Sequence, residues 1–155
     1  MTRVLFVCVH NSGRSQMAEA LFNHLAAGRA EARSAGTQPA DSVDPQVVKV
    51  IAELGIDLSY ATPKPLTLEM VDWADRVISM GCGVEESCPA NLVLTEDWGL
   101  DDPKDQPIEV VRGIRDEIAR WVEGLLGELG AENKKEAGKL YGQYARPLEA
   151  DFERG

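Results

Sequence analysis

Cysteine is scarce in this chain, histidine scarcer still, and positive charge is outnumbered. Three cysteines in 155 residues (Cys8, Cys82 and Cys88) are too few, and odd in number, for a disulfide framework; they point to reactive thiols or inert core residues in a reducing compartment. There is no CxxC pair, and His10 and His24 are the only histidines, so the ligand spacings of a zinc site are missing and no metal centre is expected. Lys and Arg number 16 against 26 Asp and Glu, a net charge of −10, which argues against nucleic acid or an anionic membrane as partner. No apolar run approaches the ~18 residues of a membrane span. The opening MTRVLFVCVHN has too short an apolar part, and no small-residue cleavage pattern, to be a signal peptide. The expectation is a soluble, cytoplasmic, monomeric protein, in which any anionic ligand needs a local positive pocket.

What is present is an alternation of strand and helix patterns. RVLFVCV (3–9) is a continuous apolar run, the pattern of a strand buried on both faces. From Ser15, the residues Met17, Leu21 and Leu25, with Ala18 and Phe22 beside them, keep helical spacing until Gly28. A weaker strand follows at 30–36. DPQVVKVIAELG (44–55) opens with an Asp cap and a Pro at the first helical position. A short helix is expected at 67–74, strands at 75–81 and 91–96, and the longest helix at 107–129. This order predicts an α/β fold: a small doubly wound four-stranded parallel sheet with helices on both faces. Residues 1–129 form the expected domain. Residues 130–155 are polar and broken by Gly and Pro, with scattered Leu140, Tyr141, Tyr144, Leu148 and Phe152; they read equally as a loosely ordered tail or as a segment that docks those apolar groups.

The chemistry sits after the first strand, where an open α/β sheet binds its ligands. CVHNSGRS (8–15) places Cys8 at a strand end and Arg14 at a helix start. Between them, Val9, His10, Asn11, Ser12 and Gly13 can curl so that successive N–H groups and the helix dipole converge on an anion. Asn11 tolerates the left-handed conformation that such curling requires, and Gly13 allows close backbone approach. Arg14 offers a planar fork to two oxygens of a tetrahedral oxyanion. The same positive environment favours the Cys8 thiolate. A buried strand-end cysteine or a solvated arginine is commonplace alone; the paired spacing, followed by Ser15, is far more specific.

This C-x5-R-[ST] stretch resembles the phosphate-binding loop of the low-molecular-weight protein tyrosine phosphatase superfamily, and the likeness extends to SAGT (34–37) and DDP (101–103). Two branches of that superfamily compete: phosphatases and thioredoxin-coupled arsenate reductases. MGCGVEESCPANLVLTEDWGLDDP (80–103) is similar to the reductase segment that carries a resolving cysteine pair, one residue shorter between its cysteines than the best-known example. DDPKDQP also lacks the aromatics with which tyrosine phosphatases grip a phenyl ring. The resemblance therefore implies an arsenate reductase serving arsenic detoxification. Cys8 attacks arsenate, Arg14 and the loop amides hold its charge, and Asp102 protonates the leaving hydroxide. Cys82 then attacks the Cys8 sulfur and releases arsenite, Cys88 resolves the Cys8–Cys82 disulfide, and thioredoxin reduces Cys82–Cys88. The alternatives are a tyrosine phosphatase and a non-catalytic binder of trivalent arsenic.

Smaller expectations come with the likeness. If residues 82–88 were one helix, their thiols would lie about 9 Å apart along its axis, against the ~5.5 Å Cα separation of a disulfide. That segment must bend, and Gly81 and Gly83 flank Cys82. Ser15 donates to the Cys8 thiolate or merely caps the helix. Asn11, Glu19 and Ser34 match positions that support the loop and help bind potassium in some relatives. Lys64 stands where those relatives supply a further acid, so its ammonium can take the cation's place or simply be solvated.

Overall fold

The computed structural model describes residues 1–80 and 96–140, the side chains of 131–140 excepted. Cys82, Cys88, the expected strand residues 91–95 and the terminal residues 141–155 lie outside the described residues.

Strand β1 (Thr2–Cys8) is the spine of the sheet. It pairs in parallel with β2 (Ala30–Gly36) along its whole length, from Thr2 opposite Ala30 to Cys8 opposite Gly36. On its other side it pairs with β3 (Arg76–Ser79), which in turn carries the short β4 (Glu96–Asp97). The order is β2-β1-β3-β4, all parallel. Helices follow as α1 (Arg14–Ala26), α2 (Pro45–Ala52), α3 (Leu68–Trp73) and α4 (Ile108–Leu140).

The pleat of β1 explains its unbroken apolar run. Val4, Phe6 and Cys8 face a large core built with Met17, Leu21 and Phe22 of α1 and Val111, Ile118 and Val122 of α4. Leu5 and Val7 face the opposite side, where Met70, Val71 and Ala74 of the α3 region cover them. Both faces are therefore dry, and each fully buried side chain of this kind contributes about 1.5–3 kcal/mol. Phe6 sits edge-on to Phe22 at 6.0 Å and 5.4 Å from Trp98, joining α1 to the chain after β4.

Helix termini follow local chemistry. Asp44 caps α2 by accepting from Gln46 N at 2.9 Å, with Pro45 in the first turn. Thr67 caps α3 through Met70 N. Helix α1 closes one residue before the expected glycine: Ala27 takes the left-handed conformation and bonds Asn23 O, and Gly28 continues with positive φ. The longest helix does not stop at residue 129 but runs on to Leu140. AENKKEAGKL is rich in Ala, Glu and Lys, strong helix formers that outweigh its polarity.

Helix α4 is clamped to α2 by charge. Arg115, buried, donates to Val50 O at 2.9 Å and to Glu53 Oε1 at 2.8 Å, so it satisfies one of the carbonyls left open at the end of α2. Arg112 grips the same carboxylate with two nitrogens. The hydrogen bond from Arg112 is the main reason the Glu53 pKa is lowered from 4.5 to about 2.

Candidate active site

The chain between β1 and α1 is shaped by what its carbonyls bond. Cys8 O accepts from Thr37 N, Val9 O from Gln38 N, His10 O from Ala40 N and Ser12 O from Asp44 N, at 2.8–3.2 Å. All four carbonyls thus point outward to the segment 37–44. Across a trans peptide the following N–H points the opposite way, which turns the amides of Val9, His10, Asn11 and Gly13 toward the concave side. One of them is seen to arrive there: Asn11 N donates to Cys8 Sγ at 3.2 Å. Asn11 has φ 50°, the expected left-handed turn that closes the curl.

Two small residues let the loop sit where it does. A Cβ on Gly36 would lie 2.6 Å from Val9 O and 3.0 Å from Asn11 N, so β2 can pass under the loop only without a side chain. A Cβ on Gly13 would meet Pro103 Cγ at 2.9 Å, so the loop and the Asp102 turn are packed directly together.

Cys8 is buried, and its sulfur lies 2.8 Å from Ser15 Oγ in the first turn of α1. Ser15 also receives Asn11 Nδ2 at 2.7 Å. The Asn11 side chain is held in turn: its Oδ1 accepts from Lys64 N at 2.9 Å and from Gln16 Nε2 at 3.0 Å. Gln16 is fully buried, and its role was not read from the sequence. A Gln in a first helical turn looks solvated, and only its place beside Ser15 hinted otherwise.

Arg14 donates to Leu100 O at 2.8 Å, with its other terminal nitrogen 3.9 Å from Asp102 Oδ2. The guanidinium is nearly enclosed while Asp102 is half open to solvent, its Oδ1 tied to Lys104 N in a tight turn. Cys8, Ser15, Arg14 and Asp102 therefore share one end of the sheet, beyond the carboxyl ends of β1 and β2. His10 is exposed and donates through Nδ1 to Gln38 O. It borders an open cavity of about 530 Å³, lined also by Ser12, Asp41, Asp44, Lys104 and Asp105 and by no Phe, Tyr or Trp.

Glu19, Ser34 and Lys64 also meet. Glu19 Oε1 accepts from Ser34 Oγ at 2.7 Å and faces Lys64 Nζ at 3.3 Å. A potassium ion would need Glu19 Oε1 and Asn11 Oδ1, yet each of these two oxygens already accepts from two donors and the Lys64 ammonium stands at the first, so the residues present do not fit the cation. Among the described residues no group of three His, Cys, Asp or Glu side chains is arranged to hold a metal. No described helix is long and apolar enough to cross a membrane.

A cysteine sulfur beneath a curl of inward amides, with a helix N-terminus behind it and an arginine and an aspartate on the adjoining turns, is a geometry suited to holding an anion beside a thiol in an α/β domain. Residues 3–136 match the family described as low molecular weight phosphotyrosine protein phosphatase. The chain belongs to that family. A putative arsenate reductase of Halobacterium salinarum is 40% identical over 137 residues, covering 85% of this chain and 96% of the relative. A glutaredoxin arsenate reductase of Synechocystis is 39% identical, covering 83% and 99%. Among solved structures, the thioredoxin-dependent arsenate reductase of Corynebacterium glutamicum superposes with a TM-score of 0.71 at 38% identity, over 85% of this chain and 63% of that one. An arginine phosphatase of Geobacillus stearothermophilus gives 0.73 at 30% identity, over 87% and 97%.

Proposed function

We propose that this protein reduces arsenate to arsenite in the cytoplasm, with Cys8 as nucleophile. The observation that carries the reading is the Cys8 sulfur, which accepts from Asn11 N and lies 2.8 Å from Ser15 Oγ at the base of an amide-lined loop, at the same end of the sheet as Arg14 and Asp102. Similarity to proteins named arsenate reductase, at 38–40% identity against 30% for the phosphatase, favours the redox branch. So does the stretch after the Asp-Pro pair, KDQP, which carries no aromatic side chain to stack on a phenyl ring.

In this reading the Cys8 thiolate attacks arsenic and hydroxide leaves, protonated by Asp102, to give a sulfur–arsenic adduct. Loop amides and Arg14 hold the charge. Cys82 then attacks the Cys8 sulfur; the sulfur–arsenic bond breaks, its electron pair stays on arsenic, and arsenite departs. Cys88 attacks Cys82 and frees Cys8. A dithiol protein reduces Cys82–Cys88, and thioredoxin suits that step because a small thiol would make both extra cysteines redundant. Lys64 takes the place of a cation, since its ammonium already neutralises Glu19 behind the loop.

The test is arsenate-dependent NADPH oxidation with thioredoxin and thioredoxin reductase, run beside a glutaredoxin–glutathione arm and hydrolysis of an aryl phosphate. Robust turnover in the thioredoxin arm, with slow hydrolysis, is expected. Turnover only with glutaredoxin would replace the reductant. Fast hydrolysis without arsenate reduction would make the protein a phosphatase.

A further inference from the structure

We propose that Gly13 is a positioning residue for the acid: its bare Cα is the seat on which Pro103 rests, and the depth of that seat sets how close Asp102 stands to the oxyanion. The inference rests on the reading of Asp102 as proton donor. In that step the bond from sulfur to arsenic forms, a bond from arsenic to oxygen breaks, and the Asp102 proton goes to the leaving oxygen, which departs as water. The donor must come within hydrogen-bond reach of that oxygen. Asp102 makes no hydrogen bond of its own to the loop: Oδ1 accepts from Lys104 N inside the same turn, and Oδ2 stands 3.9 Å from Arg14. Its place is set by its neighbours in the chain. On one side Leu100 O is held by Arg14 at 2.8 Å. On the other, Pro103 is the one buried residue of 101–107. Its ring is what a Cβ on Gly13 would strike, at 2.9 Å from Cγ and 3.5 Å from Cδ, with Val47 Cγ2 of α2 at 3.9 Å closing the notch.

Which side yields when the seat is filled follows from what holds each. Gly13 is pinned: its carbonyl accepts from Met17 N at 3.0 Å, opening α1, and the carbonyl before it, Ser12 O, accepts from Asp44 N at 3.0 Å. The turn is freer, since apart from Pro103 every residue from 101 to 107 is exposed. A methyl group at position 13 therefore lifts Pro103 rather than flattening the loop. Carbon atoms settle about 3.5–4.0 Å apart, so the ring must rise by roughly 0.6–1 Å, and Asp102 moves with it. A misplacement of about 1 Å can cost 10²-fold in rate. The converse also holds: shortening Pro103 to alanine empties the seat and leaves the turn without its rest.

The experiment reads the proton donor through leaving groups of different acidity. In the full reduced chain, kcat/KM is measured for phenyl phosphate and for p-nitrophenyl phosphate, because the first leaving group needs a proton and the second leaves well without one. Their ratio reports the acid even where hydrolysis is slow, and single-turnover consumption of arsenate reports it on arsenic. Asp102→Asn is the reference and should lower the ratio of phenyl to p-nitrophenyl about tenfold or more. Gly13→Ala should lower it in the same direction and slow arsenate consumption about tenfold. Phosphate protection of Cys8 from iodoacetamide should fall by less than about threefold in that variant, a split that a general loss of structure would not give. Pro103→Ala should also lower the ratio. The double variant should return it to within about threefold of wild type, since one methyl group fills the space that the ring vacates. A wild-type ratio in folded Gly13→Ala, equal losses for the two esters, or no recovery in the double variant would overturn the proposal. If Gly13→Ala does not fold, Pro103→Ala and the double variant carry the same test. An unmoved ratio in Asp102→Asn would strike the acid assignment and the proposal with it, whereas a ratio moved there and not in Gly13→Ala strikes the seat alone.

Discussion

Gly36→Ala tests whether the loop is held in shape by the strand beneath it. The new Cβ would sit 2.6 Å from Val9 O and 3.0 Å from Asn11 N. Carbon and oxygen cannot share that distance, and the loop must retreat by at least about half an ångström before dispersion turns attractive. Neither clashing atom belongs to a flexible side chain, so retreat strains the bonds from Gln38 N to Val9 O and from Thr37 N to Cys8 O. Overpacking of this kind costs about 1–3 kcal/mol. For a domain of this size each kcal/mol lowers Tm by about 2–4 °C, so a fall of roughly 2–12 °C is expected. The functional loss should be larger in proportion. A misplacement of about 1 Å in an active site can cost 10²-fold, and half of that should lower kcat/KM roughly tenfold. Thermal melts give the first number, and protection of Cys8 from alkylation by phosphate gives oxyanion affinity. A Gly36→Ala protein with wild-type Tm and wild-type protection would refute the idea that β2 supports the loop.

The remaining expectations are shorter. Arg14→Lys should weaken oxyanion protection of Cys8 by at least tenfold, because an ammonium cannot reproduce a two-pronged contact; equal protection would remove Arg14 from the binding role. Asp102→Asn should slow formation of the arsenic adduct about 10²-fold or more in a stopped-flow assay. A normal Asp102→Asn beside a crippled Asp101→Asn would move the assignment. Glu53 carries its proton less readily in the folded protein, with a pKa of about 2 against 4.5. The native state then binds fewer protons than the unfolded chain. The stability this carboxylate confers is complete above about pH 4.5 and is lost as pH falls toward about 2. Denaturant melts of Glu53→Gln should lack that part of the acid slope; an unchanged slope would show that the α2–α4 clamp is not ionic.

Much of this was legible in the chain because the functional loop is local. Cys8, Asn11 and Arg14 fall within seven consecutive residues, and their chemistry needs only a strand before and a helix after. The doubly buried β1 was equally plain, since apolar residues at consecutive positions have no amphipathic alternative. Gln16 and Gly36 were not readable in the same way. Their importance lies in contacts with Asn11 and Val9 set by the pairing of Cys8 with Gly36 across strands, and a polar residue or a glycine carries no mark of what will lie beside it. The end of α4 was misplaced for a different reason. The polar stretch after Gly130 reads equally as a loose tail or as a docking segment, and neither reading marks where the helix ends, whereas a helix also continues on propensity when Ala, Glu and Lys dominate. Lys64 illustrates a middle case: its alignment suggested a substitute cation, and the fold brings its ammonium to Glu19 and its backbone N–H to Asn11.

The proposed relay has three thiols acting in sequence, Cys8 on arsenic, Cys82 on the Cys8 sulfur and Cys88 on the Cys82 sulfur. The most direct measurement is arsenite released per enzyme by the pre-reduced Cys88→Ser variant given excess arsenate and thioredoxin as sole reductant, with the resulting disulfide mapped by peptide mass. Neither adduct formation nor the first exchange uses Cys88, so the account predicts one arsenite per enzyme, then arrest with Cys8 joined to Cys82. Continued turnover at the wild-type rate, or no arsenite at all, would contradict it.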